Sequence, residues 1–142
     1  VGDKVKLYDV RGKLRYKSVH KYRIDWEGAC RSNFQFEVKQ FFKPFWRKHI
    51  CYEEFPVYGT RMKVDMINMT KRIAVEAQGP QHESFNKFFH GNSRANYLKS
   101  IKRDHHKMVW LENNNFKILE ITQEDLASLS PEYILEKFSV SV

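Results

Sequence analysis

The succession of periodicities along this chain predicts an α/β class fold, an α+β mixed sheet assembled in the order helix, three strands, helix, strand. A basic β-hairpin precedes that core and a last helix follows it. Three observations carry the prediction. An apolar stripe at helical spacing begins just after Ser32. Short runs with period-two alternation follow between residues 49 and 78. A second helical stretch from about residue 93 to 113 then leads into a short strand at 116–121. With 142 residues, 42% of them hydrophobic and 15% aromatic, the chain is long enough to bury one core. The expected organisation is a basic arm, residues 1–30, packed on a unit of residues 31–142, together one compact domain.

Charge narrows the classes of partner. Lys and Arg number 25 against 17 Asp and Glu, a formal charge of +8, which favours a polyanion and nucleic acid first. Apolar runs are only a few residues long, and no basic amphipathic helix with an exposed apolar face is evident, so no membrane partner is expected. The charged opening does not read as a signal peptide. Cys30 and Cys51 make neither a disulfide framework nor a zinc site, so the predicted setting is intracellular and reducing.

The excess charge is concentrated in residues 4–24, where Lys4, Lys6, Arg11, Lys13, Arg15, Lys17, Lys21 and Arg23 face a single acid, Asp9. Residues 4–10 and 13–19 read as two strands joined at Arg11-Gly12. On the second, Lys13, Arg15 and Lys17 share a face, a spacing that suits a run of phosphates, with Tyr8, Tyr16 and Tyr22 available for stacking. A solvated edge hairpin whose lysines block aggregation explains the same pattern equally well.

Ser32 and Gln35 fit a capping box for a helix carrying Phe34, Val38, Phe41, Phe42, Phe45 and Trp46, which Pro44 is expected to bend or end. Glu37 falls at the margin of that stripe, where a carboxylate needs a partner and an ordinary salt bridge would supply one. Strands are expected at residues 49–57, with an edge or bulge at Pro56, at 62–67 and at 72–78. A tight turn through Thr70-Lys71 would set Asp65 opposite Glu76, and two adjacent carboxylates call for a cation, with hard oxygen donors favouring magnesium or a similar ion. A slip of one residue would move Asp65 to the other face.

Residues 82–91, with Phe85, Phe88 and Phe89 beside His82 and His90, read as a loop suited to substrate contacts. The second helix carries Tyr97, Ile101, Met108 and Leu111 in an apolar stripe that also contains Asp104. Lys107 is placed either to pair with Asp104 or to approach a phosphate. His105 and His106 are discounted as zinc ligands because adjacent helical residues point about 100° apart. Ser130-Pro131 opens the last helix.

This arrangement resembles the core of the PD-(D/E)XK nuclease superfamily, in the very-short-patch repair endonuclease-like branch whose site is described as EDxHD and which occurs in phage-associated homing endonucleases. The resemblance covers about residues 31–122 and is carried by Glu37, by the segment from Glu54 to Asp65, by Glu76-Ala-Gln78-Gly-Pro-Gln81-His82, and by Arg103-Asp104 with Lys107. It implies a restriction-endonuclease-like αβββαβ core and a magnesium- or manganese-dependent DNA endonuclease of free-standing homing type. Double-stranded DNA is the implied partner, a homodimer is left open, and the setting is the cytoplasm of a bacterial host with a phage gene. Glu37, Asp65, His82 and Asp104 match the four named positions. Gln78 stands where the superfamily usually has lysine, which leaves His82 to take the proton of the attacking water. Asp65 is then the central metal ligand, Glu76 a second ligand or its support, and Glu37 and Asp104 complete or orient the shell. DNA contacts are expected from Lys13, Arg15, Lys17 and Lys107. A repair-type nicking endonuclease acting on mismatched or branched DNA, and an inactive DNA-binding module on the same scaffold, are the alternatives.

Overall fold

The computed structural model describes residues 3–78 and 94–142, without the side chains at positions 94–97 and 100. Two strands, β1 (Lys4–Tyr8) and β2 (Leu14–Ser18), form the amino-terminal hairpin, followed by a short 3-10 turn at His20–Tyr22. Helix α1 (Asn33–Trp46) leads to β3 (Cys51–Pro56), β4 (Lys63–Asn68) and β5 (Ile73–Gln78). Helix α2 (Arg94–Asn113) connects β5 to β6 (Lys117–Thr122), and α3 (Gln123–Leu126) and α4 (Pro131–Phe138) close the chain. The sheet order is β3-β4-β5-β6, antiparallel except for the last pair, which is parallel. A parallel neighbour requires a crossover, and α2 is that crossover. The mixed α/β class and the helix, three-strand, helix, strand order predicted from the sequence are therefore observed.

Each face of the four-stranded sheet has its own core. On one, Val38, Phe42 and Trp46 of α1 and Ile134 of α4 cover Cys51, Met66, Val75 and Leu119. Phe42 stacks on Trp46 with ring centroids 4.3 Å apart. On the other, Trp110 and Leu111 of α2 pack with Tyr52, Ile67 and Ala74, and Leu7 and Val19 bring the hairpin into the same cluster. The hairpin is also tied on by polar contacts. Asn114 accepts from the Tyr8 amide at 2.8 Å and donates to its carbonyl at 3.1 Å, while the Trp110 indole donates to that same carbonyl at 2.6 Å.

Several local expectations change. Helix α1 runs through Pro44 to Trp46; only two helical residues follow the proline, so the lost hydrogen bond falls in the final turn. Its buried positions are Gln35, Val38, Lys39, Phe42 and Trp46, which turns Glu37 to solvent rather than to the edge of the packed stripe. On α2, Ile101 is exposed and Met108 half-buried, so the apolar stripe is covered only towards Trp110 and Leu111. The β4–β5 connection is a four-residue loop in which Asn68 accepts from the Lys71 amide and Arg72 takes a left-handed conformation, rather than a two-residue turn. The hairpin turn is as expected, with Gly12 at φ +83° and its amide bonded to the Asp9 carbonyl at 3.0 Å.

Candidate functional site

Alternation and pairing set a row of carboxylates across one end of the sheet. The pairs Met66–Val75 and Ile67–Ala74 continue to Asp65 opposite Glu76, and Glu76 is paired in turn with Glu120 on β6. Glu54, between the pairs Glu53–Met66 and Phe55–Val64, lies opposite Asp65 on β3. Each of the four strands thus contributes one acid to the row, an arrangement that like charges oppose. No slip of register occurs at β4–β5. There the backbone ladder ends and side chains replace it: the Asp65 amide donates to Glu76 Oε2 at 2.8 Å, and the Ala77 amide donates to Asp65 Oδ2 at 2.8 Å.

Both central acids are buried, Asp65 at 8% exposure and Glu76 at 7%. Burial pushes the Asp65 carboxyl above its ordinary value, against the pull of the Ala77 amide and the Arg31 charge. Glu76 is pushed up to about 7 by burial and then by the Asp65 charge, with Lys107 opposing both. Two cations hold the row together. Arg31, just before the α1 cap, places Nη2 2.8 Å from Asp65 Oδ1 and Nε 2.9 Å from Glu54 Oε1. Lys107 on α2 places Nζ 2.6 Å from Glu76 Oε1. Burial works against the Arg31 charge, but Glu54 and Asp65 outweigh it and raise its pKa. At the far end Gln78 donates to Glu120 Oε2 at 3.0 Å, so it secures the last acid of the row.

Glu54 is held in a left-handed backbone conformation at φ +49°, a state that costs a non-glycine residue about 1–3 kcal/mol. Both of its carboxylate oxygens are shielded from solvent, and among the described residues neither receives a well-directed hydrogen bond, although Arg31 Nε lies close to one. An acid strained and under-satisfied in this way belongs with Asp65 and Glu76.

The row meets a basic groove. A cavity of about 430 Å³ is lined by Arg31, Arg61, Lys63, Arg103 and Lys107, with Met62 and the half-buried Asp104. Arg61 and Lys63 come from the β3–β4 connection and the start of β4, while Arg103 and Lys107 stand one turn apart on α2. Among the described residues, Arg61, Lys63 and Arg103 make no ion pair, so their charge is open to a ligand.

Of the residues singled out from the sequence, the structure brings together Asp65, Glu76, Gln78 and Lys107, and sets Asp104 on the wall of the adjoining groove. Glu37 is exposed on α1 and takes no part in the network. His82 and the loop at 82–91 lie outside the described residues. The hairpin cations Lys13, Arg15 and Lys17 are all exposed, and two of them have partners. Arg15 Nε is 2.9 Å from Asp9 Oδ2, and Lys17 Nζ lies 5.1 Å from the centre of the Tyr58 ring. Sequence reasoning passed over Arg31, Glu54, Arg61, Lys63 and Arg103 as site residues. Only Glu54 carried a local signal, as an acid in a strand expected to neighbour Asp65.

Oxygen donors suit a hard divalent cation. Among the described residues, however, no three His, Cys, Asp or Glu side chains converge at metal-holding spacing. Lys39, buried on α1, is fully satisfied by the carbonyls of Asp25 and Gly28 and by Glu53, and is structural.

The chain is 30% identical over 95 residues to "Uncharacterized protein 033L" of Invertebrate iridescent virus 3. That stretch is 67% of this chain and 47% of the viral protein, so the chain spans about half the length of the curated relative it matches. No protein-family model and no solved structure matches the chain. Among the described residues no helix is long and apolar enough to cross a membrane.

Proposed function

We propose that this chain is a metal-dependent DNA endonuclease that hydrolyses phosphodiester bonds, of the free-standing homing type that its sequence resembles. The observation that supports the reading most strongly is the junction of a buried carboxylate pair, Asp65 and Glu76, with a groove lined by five cations. A polyanion in that groove is attracted by Arg61, Lys63 and Arg103, and its phosphate is brought beside the acids. Asp65 and Glu76 are the residues that would hold magnesium or manganese. Such an ion supplies charge neutralisation at the phosphate and a more acidic water.

The rest of the chemistry belongs to the chain. Arg31 and Lys107, which neutralise Asp65 and Glu76, also line the groove, so an entering phosphate competes for both and frees the carboxylates. His82 is the proton acceptor of this reading. Gln78 holds Glu120 through its side-chain amide.

Plasmid cleavage with magnesium, comparing the parent chain with Asp65→Ala, tests the reading. Cleavage by the parent and loss in the variant support it; equal activity removes Asp65 from the chemistry. A DNA-binding module without activity is the second reading, favoured by the way Arg31 and Lys107 already occupy the carboxylates. It prevails if neither chain cuts but both bind DNA with a steep salt dependence.

A further inference from the structure

A second cavity, of about 470 Å³, lies in the seam between the hairpin turn, the β3–β4 connection and α2. Its walls are largely apolar, from Val10, Met62, Val109 and Trp110, and its rim carries His105 and His106. Val10 and Val109 are exposed apolar side chains, and no packing need of the fold is met by leaving them open beside a cavity of ligand-binding size. The cavity is neighbour to the basic groove: Met62 lines both, and α2 separates them, presenting Arg103 and Lys107 to one and His106, Val109 and Trp110 to the other. An occupant of the seam is therefore held next to a row of phosphate-binding cations.

Resting on the nuclease reading above, we infer that this seam accommodates a nucleobase displaced from the duplex while the phosphates flanking it lie in the basic groove. The ligand is flat, largely apolar on its faces and polar at its edges, and is joined to an anion a few ångströms away. Those are the properties of the two cavities taken together. The two imidazoles, with ring centroids 6.4 Å apart and planes at 49°, offer one face for stacking and ring nitrogens for hydrogen bonds to base edges. The substrate so defined is DNA carrying an unpaired base, such as a bulge.

Binding of the full chain to a perfectly paired duplex and to the same duplex with one unpaired adenine, by fluorescence anisotropy, tests the inference. The bulged duplex is expected to bind at least about fivefold more tightly, as stacking of one base allows. Val109→Trp, a substitution at an exposed helical position that fills the seam, removes that preference and leaves affinity for the paired duplex unchanged. His105→Ala with His106→Ala reduces it without filling anything. Equal binding of both duplexes by the parent chain overturns the inference, and magnesium-dependent cleavage of the paired duplex then leaves the nuclease reading standing. A bulge preference that survives both variants places the base elsewhere and also overturns it. Absence of binding to either duplex, with no cleavage, ends both readings together.

Discussion

Asp65 on β4 and Asp125 on α3 are both buried aspartates, at 8% and 1% exposure, and their environments push them in opposite directions. Burial raises Asp125 as it raises Asp65, but here donors dominate: Lys137, Tyr133 and Thr122 bring its pKa down to about 2. Thr122 and Asp125 form a reciprocal capping box at α3, Lys137 Nζ lies 2.5 Å from Oδ1, and Tyr133 donates to the same oxygen. Asp65 instead faces Glu54 and Glu76, and its cation Arg31 is shared and largely exposed. A buried carboxylate surrounded by donors is a staple. One set among other carboxylates keeps a raised pKa beside a basic groove.

The largest test of that contrast is catalytic. Asp65→Ala is expected to lower magnesium-dependent cleavage by at least about a hundredfold, while Asp125→Ala leaves turnover per folded molecule unchanged. Stability is expected to respond the other way. Asp125→Ala strands the Tyr133 hydroxyl and the Thr122 amide and removes a cap, at about 2 kcal/mol in urea denaturation. Asp65→Asn, which removes a charge from the repelling row, costs less than this at pH 8.

Titration sharpens the same comparison. Glu76 is raised from 4.5 to about 7, so between those values the folded chain binds more protons than the unfolded one, and stability falls as pH rises. Thermal unfolding from pH 5 to 8 is expected to show a declining midpoint whose slope shrinks in Glu76→Gln. Asp125 is lowered from 3.8 to about 2, so its contribution is complete above 3.8 and is lost as pH falls towards 2. That acid limb disappears in Asp125→Asn.

The smallest expected effects separate the groove from the hairpin. Replacing Arg61, Lys63 and Arg103 by Ala makes the dependence of DNA affinity on salt shallower, by roughly 0.9 in log–log slope for each phosphate no longer neutralised. Replacing Lys13, Arg15 and Lys17 together changes that slope less, because Arg15 is already paired with Asp9 of the hairpin turn and Lys17 lies over the Tyr58 ring. A larger effect from the hairpin would reverse the assignment of the DNA path.

Much of the framework was legible because its causes are local. Ser32 caps α1 through a hydrogen bond to the Gln35 amide, Gly12 turns the hairpin, and Pro131 opens α4 after Ser130. Asp65 and Glu76 were found because two short antiparallel strands leave few registers. The partners of the hairpin cations were not legible, because alternation assigns residues to a face without saying what else lies on it: Arg15 meets Asp9 and Lys17 meets the Tyr58 ring. Glu37 was misplaced for a similar reason: α1 buries Gln35 and Lys39, polar residues that no hydropathy pattern places inside.

By itself the sequence determined the elements, their order, the positive charge and the facing pair of acids, since each depends on contacts between residues close along the chain. Only the tertiary structure decided which charges meet. Arg31 reaches Asp65 across 34 positions from the segment that leads into α1, and Lys107 reaches Glu76 across 31 because α2 carries the chain over the sheet to lay β6 parallel to β5. Electrostatic energy depends on distance in space and on burial, and neither is written in the spacing of residues along the chain.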